Sequence, residues 1–445
     1  MNKIIEKKGI GKTLFKYAFP SILSMWIFAL YSIVDGIFVG KGVGSKALAA
    51  VNLSMPFLNF SFAISIMISI GASTLISSYL GKGKIQKSRD LFTSTICFLG
   101  IIGIIICGIS FIFRYELASF LGAKKEMIPL VVEYLGTILI FNTFYLIAYA
   151  LEILIKVEGK PMVAIYVVSI AAITNIILDY LLVIVFPLGL RGAAIATGGA
   201  QITQVIVLIS FFLRKNSNLK FVRVKLSLKK LFCLMKIGVP DSITEISVGF
   251  IIFAFNRVIF KYYGSNGLAV FSVIGYINNL VLMTMIGLTQ GMQPIISFLN
   301  GRKERSKNKK LLFLTLKIAF ITGIFFYIVI LFFSKYIVSL FFNDPILIKL
   351  ALEAKKLFSI SFIIVGINIV ASGFFTAIES PKRASIISLT RGVIFIIILL
   401  AVLPYSFGKY SIWIVTPLSE LLTLFISIRF LNFYKNKRIS TTQVV

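Results

Sequence analysis

Four side chains that can hold a small ion stand inside long apolar runs. Asp35 closes the stretch FKYAFPSILSMWIFALYSIVDGIFV (residues 15–39), Asn175 and Asp179 lie in TNIILDY, and Thr197 lies in RGAAIATGGAQ. A carboxylate at the centre of a lipid-embedded helix costs roughly 2.5–3.5 kcal/mol on insertion scales and is usually kept for function. Asn175 and Asp179 are four residues apart and share one helix face. Two carboxylates, an amide and a hydroxyl form a hard-oxygen set suited to a small cation. They suit a proton equally, because two close carboxylates do not easily both ionise. The competing account is that each acid caps a helix end or pairs with a nearby lysine. Pro20, fifteen residues before Asp35, removes a backbone hydrogen bond and marks a hinge.

A second polar group falls late in the chain: Glu245, five residues after Pro240, then Asn256, Asn278, Asn279, Gln290, Gln293 and Glu420. Glu245 can meet a cationic substrate or a proton, whereas membrane amides often just bond a neighbouring helix. Tyr31, Tyr149 and Tyr276, with Trp26 and Tyr145, offer ring faces to organic cations or simply pack. The expected substrate cavity is therefore Glu245, Asn256, Gln290, Gln293, Tyr31, Tyr149 and Tyr276. Arg257 and Lys317 are expected to snorkel, and Glu133 and Glu152 to sit at the interface.

Several chemistries are excluded. There is no histidine, so no His-based triad, base or metal site. The three cysteines show no CxxC spacing. No GxxxxGK[ST] loop is present, which argues against ATP-driven export by this chain alone. Neither an enzyme nor a cofactor is expected, only a coupling ion, Na⁺ or H⁺.

These residues need helices to position them. Of the 445 residues 58% are hydrophobic and the mean hydropathy is +0.98, so the chain reads as an all-α polytopic membrane protein. Twelve transmembrane helices are expected at about 14–38, 50–80, 91–113, 128–152, 162–186, 192–213, 236–260, 268–299, 311–333, 354–378, 384–406 and 410–432. The first is an uncleaved span rather than a signal peptide. With the N-terminus inside, 31 of the 46 Lys and Arg fall in cytoplasmic segments and 12 in outer ones, which sets both termini in the cytoplasm. The net charge of +30 is thus topological: the partners are membrane lipid and a small substrate, with no nucleic acid. The chain is expected to act as a monomer.

The chain repeats itself. At an offset of 220, Pro20 falls on Pro240, Gly44-Ser45 on Gly264-Ser265, Gly71 on Gly291, Gly81 on Gly301 and Pro161 on Pro381. The domains are an N-terminal lobe (1–213), a basic cytoplasmic linker (214–235) and a C-terminal lobe (236–445). Each lobe has six helices, so the repeat is parallel, with a pseudo-two-fold along the membrane normal and substrate between the halves. The acids are not duplicated: Asp35, Asn175, Asp179 and Thr197 map onto Phe255, Phe395, Leu399 and Pro417.

Over nearly its whole length the chain resembles the multidrug and toxic compound extrusion (MATE) family. The resemblance rests on FP…SIVDGIFVGKGVGSKALAA, GASTLISSYLGKGK, VEGKP, TNIILDY followed by RGAAIAT, and QGMQPIISFLNG. It implies two six-helix lobes around a cavity and exchange of Na⁺ or H⁺ for organic cations and other amphipathic drugs by alternating access, in a bacterial cytoplasmic membrane. It also implies a cation site at Asp35, Asn175, Asp179 and Thr197, and bending at Pro20. Glu245 and QGMQP look like the bacterial MepA-like branch. The NorM-type acid of span seven would fall on Val248, and span ten has no aspartate, which argues against a second-lobe acid site of that kind. The alternative is a flippase for lipid-linked saccharides of the same wider superfamily, which would usually show a more basic cavity and often extra spans.

Overall fold

A computed structural model describes residues 2–214, 217–339 and 341–436, with side chains from residue 9 onward. The helices are α1 (Asn2–Gly42), α2 (Ser45–Gly81), α3 (Ile85–Ile112), the short α4 (Arg114–Phe120), α5 (Ile128–Val157), α6 (Pro161–Asp179) and α7 (Gly189–Phe212). They continue with α8 (Leu228–Gly301), α9 (Arg305–Ser339), α10 (Pro345–Phe358), α11 (Ser361–Ala377), α12 (Pro381–Leu389), α13 (Phe395–Phe407) and α14 (Val415–Asn436). At 1.5 Å per residue, 74 residues of α8 would stretch about 110 Å, several bilayer cores. The helix is broken at Gly264 (φ 62°, ψ −151°) and supplies two spans. A 43° bend joins α10 to α11 as one span, and α12 runs on through a π-helical turn into α13. Among the described residues this gives twelve crossings, six in each lobe.

The backbone repeats where the sequence does. Positive φ occurs at Gly44, Gly83 and Gly159, and again 220 residues on at Gly264, Lys303 and Glu379. The turns after the second and fourth span of each lobe therefore share a left-handed residue, glycine in the first lobe and a strained side-chain-bearing residue in the second. Pro161 and Pro381 then occupy the first helical turn, where a missing N–H costs nothing.

Three sequence expectations change. The last eight residues assigned to the linker, from Leu228, already belong to α8. The rest of it is tied to the first lobe: Glu158 accepts from Asn218 N at 2.7 Å and Leu219 N at 3.0 Å. The glutamate of VEGKP is thus an anchor for the linker. Around Pro20 the backbone stays helical, and the one non-helical residue of α1 is Gly9 (φ 72°, ψ 166°). The span expected at 354–378 starts earlier, at Pro345, capped by Asp344, whose carboxylate accepts from Ile346 N at 2.8 Å.

Among the described residues the lobes meet closely at the end that carries Gly81 and Gly301. A Cβ on Gly71 would overlap the Leu234 carbonyl oxygen, and one on Gly238 that of Met67. Gly81 abuts the Phe298 carbonyl and Gly301 the Ser78 carbonyl, a pair of contacts exchanged by the 220-residue repeat. On α1, Ile22 and Ala18 press against Gly287 and Gly291. Small residues permit such backbone approach between membrane helices.

Candidate functional site

The four ion-site residues of the first half converge where α1, α6 and α7 pack together. Asn175 and Asp179 are 0% exposed, on one face of α6, and Asp179 is the last residue before the π-helical turn Tyr180–Val185. Such wide turns re-aim side chains and often mark functional positions. The Asp35 carboxyl, half-buried on α1, faces the Asp179 carboxyl and the Thr197 hydroxyl. Asp35 Oδ1, both carboxylate oxygens of Asp179 and both amide atoms of Asn175 are buried without a hydrogen-bond partner among the described residues. No lysine or arginine pairs with either acid among those residues. Neither the cap nor the lysine partner that competes with the ion reading is present there. Among the described residues no cluster of three or more His, Cys, Asp or Glu exists; the donors that are present, two carboxylates, an amide and a hydroxyl, are oxygen-based and hard.

Tyr134, buried on α5, stands within electrostatic range of Asp35, Asp179 and Tyr31. Sequence reasoning passed over it, because a tyrosine in an apolar run looks like packing. Tyr31, one helical turn before Asp35, faces Gln201 and lies between Asp35 and Glu152. Tyr31 also lines a separate chamber.

That chamber lies between the lobes and encloses about 1350 Å³, its open mouth included. Tyr31, Tyr149, Glu245, Gln290 and Gln293 line it, as does Tyr145. Asn256 and Tyr276, expected here, lie elsewhere: Asn256 is exposed on α8, and Tyr276 is 61% exposed and stacked on Phe341 at 6.2 Å between ring centres. Trp26 does not line the chamber but donates to Thr284 across the lobes at 3.0 Å.

The wall carries more charge than the sequence reading assigned. Asp241, directly after Pro240, accepts from Gln293 at 3.2 Å and Thr376 at 3.0 Å. The Pro-Asp dipeptide was the available signal. Glu152, expected at the interface, is instead 7% exposed and paired with Lys156 at 3.0 Å. Lys156, 1% exposed, also donates to Gln290 in the other lobe at 3.1 Å, and Gln290 donates to the Tyr149 hydroxyl at 3.4 Å. Glu245 has no ion pair or hydrogen bond among the described residues. In the second lobe Arg391 pairs with Glu420 at 2.6 Å, Asn368 donates to the other Glu420 oxygen at 2.8 Å, and Ser427 donates to Asn368 at 2.8 Å.

Two pseudo-symmetric six-helix lobes, long apolar helices, a chamber between the lobes and unpaired acids beside it define a multi-pass membrane protein of the transporter type. The MatE family profile matches residues 20–181 and 240–403, once in each lobe and almost in the register of the repeat. The chain belongs to the MatE family. It is 25% identical over 401 residues to "Multidrug export protein MepA" of Staphylococcus aureus (strain bovine RF122 / ET3-1), covering 88% of this chain and 87% of that protein. Two solved structures share the fold. One is described as the "outward-facing conformation of a multidrug resistance MATE family transporter of the MOP superfamily" (TM-score 0.90, 20% identity, 96% and 97% of the two chains). The other is described as MATE "in the straight conformation" (TM-score 0.90, 19% identity, 96% and 97%).

Proposed function

We propose that the chain is an antiporter that couples entry of Na⁺ or H⁺ to export of organic cations and amphipathic drugs by alternating access. The observation that carries this reading is the Asp35–Asp179 pair, two carboxylates on apolar helices facing one another with no lysine or arginine against them among the described residues. Buried charges are tolerated only when paired, coordinated or neutralised. The two carboxylates, the Asn175 carbonyl and the Thr197 hydroxyl would hold Na⁺, or the two acids would share a proton.

The chamber suits a cationic, partly apolar substrate. Glu245 and Asp241 supply negative charge, and Tyr31 and Tyr149 supply aromatic surface. Coupling requires that the ion favour one conformational state over the other. Ion uptake between α1 and α6 repacks α1, and Tyr31 carries that change to the chamber wall, where substrate affinity falls. The basic residues put the sealed end in the cytoplasm, so the chamber opens outward here, with both termini inside. The printed names of the relatives, a multidrug export protein and a multidrug resistance transporter, support this choice of substrate class.

The test is efflux of a cationic dye from proteoliposomes with Na⁺ and pH gradients imposed separately. Efflux driven by at least one gradient is expected. Indifference to both would overturn ion coupling.

A further inference from the structure

A groove of about 1080 Å³ opens on the outer face of the second lobe, between α9, α11 and α14. Lys309, Lys317 and Lys435 line it, together with leucine, isoleucine and aromatic side chains; no acid does. Lys309 donates to the Lys435 carbonyl at 2.9 Å, which draws two of the lysines together at the C-terminal end of α14. Lys317 lies eight residues further along α9, about 12 Å along the helix axis, inside the apolar run LLFLTLKIAFITGIFF. Among the described residues no carboxylate pairs with any of the three.

Three like charges around one groove repel one another, and a lysine within an apolar membrane run is costly. Snorkelling relieves part of that cost for Lys317, but it brings the ammonium closer to Lys309. Only an incoming anion relieves both. Apart from the Asn432 amide and the Tyr434 hydroxyl, the rest of the wall, Leu312, Phe313 and Ile428 among it, is apolar, and Phe313 and Ile428 are 55% and 44% exposed. Inorganic phosphate would satisfy the lysines and leave that wall bare. A zwitterionic lipid would cover the wall and bring its own cation to the lysines. A phosphate with no attached cation and two acyl chains meets both demands, and basic pockets between membrane helices are known to take such headgroups.

We propose that this groove is a binding site for an anionic phospholipid, its phosphate held by Lys309, Lys317 and Lys435 and its chains laid over Leu312, Phe313 and Ile428. The site is independent of the transport reading, and its test needs no transport. Phe313→Trp places a fluorophore in the groove of the full-length protein, and Phe325→Trp, on the same helix outside the groove, serves as reference. Both are reconstituted in vesicles containing brominated phosphatidylglycerol or brominated phosphatidylcholine, and wild-type fluorescence is subtracted. The expected result is quenching at position 313 at a several-fold lower mole fraction of phosphatidylglycerol than of phosphatidylcholine, with no such preference at 325. Lys309→Gln/Lys317→Gln should bring the ratio at 313 down to that at 325, whereas Lys317→Arg should keep it. Equal quenching by the two lipids at 313, or a preference unchanged in the double Gln variant, would overturn the proposal. So would loss of the preference on adding inorganic phosphate but not chloride of the same ionic strength, since the lysines would then be a free-phosphate site.

Discussion

The seal between the lobes can be tested with a single methyl group. A Cβ on Gly291 would stand 2.5 Å from the Ala18 Cα, 2.6 Å from its nitrogen and 2.8 Å from the Tyr17 carbonyl carbon. Carbon atoms touch at about 3.5–4.0 Å, so α1 and α8 must separate by about 1 Å. All three obstructing atoms are backbone, and no rotamer change relieves them. Overpacking of this kind costs about 1–3 kcal/mol, and the cost falls on the sealed state alone if the lobes part here in the other state. Gly291→Ala should therefore shift the balance between the two states about 5- to 150-fold towards the one open at this end. Spin labels on Lys46→Cys and Asn266→Cys, exposed residues related by the repeat just beyond Gly44 and Gly264, report the opposite end. With Cys97, Cys107 and Cys233 replaced, the distance between the labels should shorten in Gly291→Ala, and likewise in Gly71→Ala, its counterpart in the other lobe. A lowered thermal stability with an unchanged distance distribution would refute the reasoning, because the contact would then be ordinary packing common to both states.

Asp35→Asn and Asp179→Asn should each abolish dye export at wild-type expression, and full efflux by both would remove the first-lobe ion site. Arg391→Met strands the Glu420 carboxylate and should cost about 3–5 kcal/mol, read as a fall in the thermal midpoint; adding Glu420→Met should recover much of the loss. Lys303→Gly and Glu379→Gly relieve left-handed strain of about 1–2 kcal/mol each, partly offset by the greater freedom of glycine in the unfolded chain. Each should raise the thermal midpoint by a degree or two.

The repeat made most of the fold legible. Its prolines and glycines are punctuation, and they fall at turns whose backbone is special in both lobes: Gly44 with Gly264, and Gly159-Lys160-Pro161 with Glu379-Ser380-Pro381. The grouping of Asp35, Asn175, Asp179 and Thr197 was legible for a related reason, since acids absent from the second copy are not needed by the scaffold. What stayed hidden was the face on which a given polar residue lies. In a soluble helix the apolar stripe shows which side is inside. Here lipid and protein interior are both apolar, the stripe vanishes, and Tyr276 and Asn256 could not be told from Tyr149 and Gln290. Glu152 was misplaced for the same reason: its partner Lys156 is visible four residues on, but nothing local says that the pair points inward. The Asp241 cluster draws on Gln293 and Thr376, 52 and 135 residues away, a partnership that only the packed helices create.

Two sites, one in each lobe, contrast in how they treat a buried acid. In the second lobe Arg391 is a tethered cation for Glu420, and Asn368 takes the other oxygen, so the acid has no affinity to spare for an ion from solution. The counterparts of Arg391, Glu420 and Asn368 in the first lobe are Ala171, Ala200 and Ala148, and Asp35 and Asp179 have no such cation among the described residues. If the missing charge is what the coupling ion supplies, a tethered cation should replace it. Thr197→Lys puts an ammonium on the residue that faces Asp35. The variant should bind no ion at this site: the stabilisation that an ion confers on the wild type, RT ln(1 + [ion]/Kd), read as a rise in thermal midpoint when Na⁺ is added or pH is changed, should disappear. The first lobe should then stay in its ion-loaded packing, and export should stop although the protein is at least as stable as wild type. Asp35→Asn also stops export, but without a permanent positive charge, so the pair of variants separates loss of the acid from saturation of the site. A Thr197→Lys protein whose stability still rises with the ion as the wild type's does would show that the ion binds elsewhere.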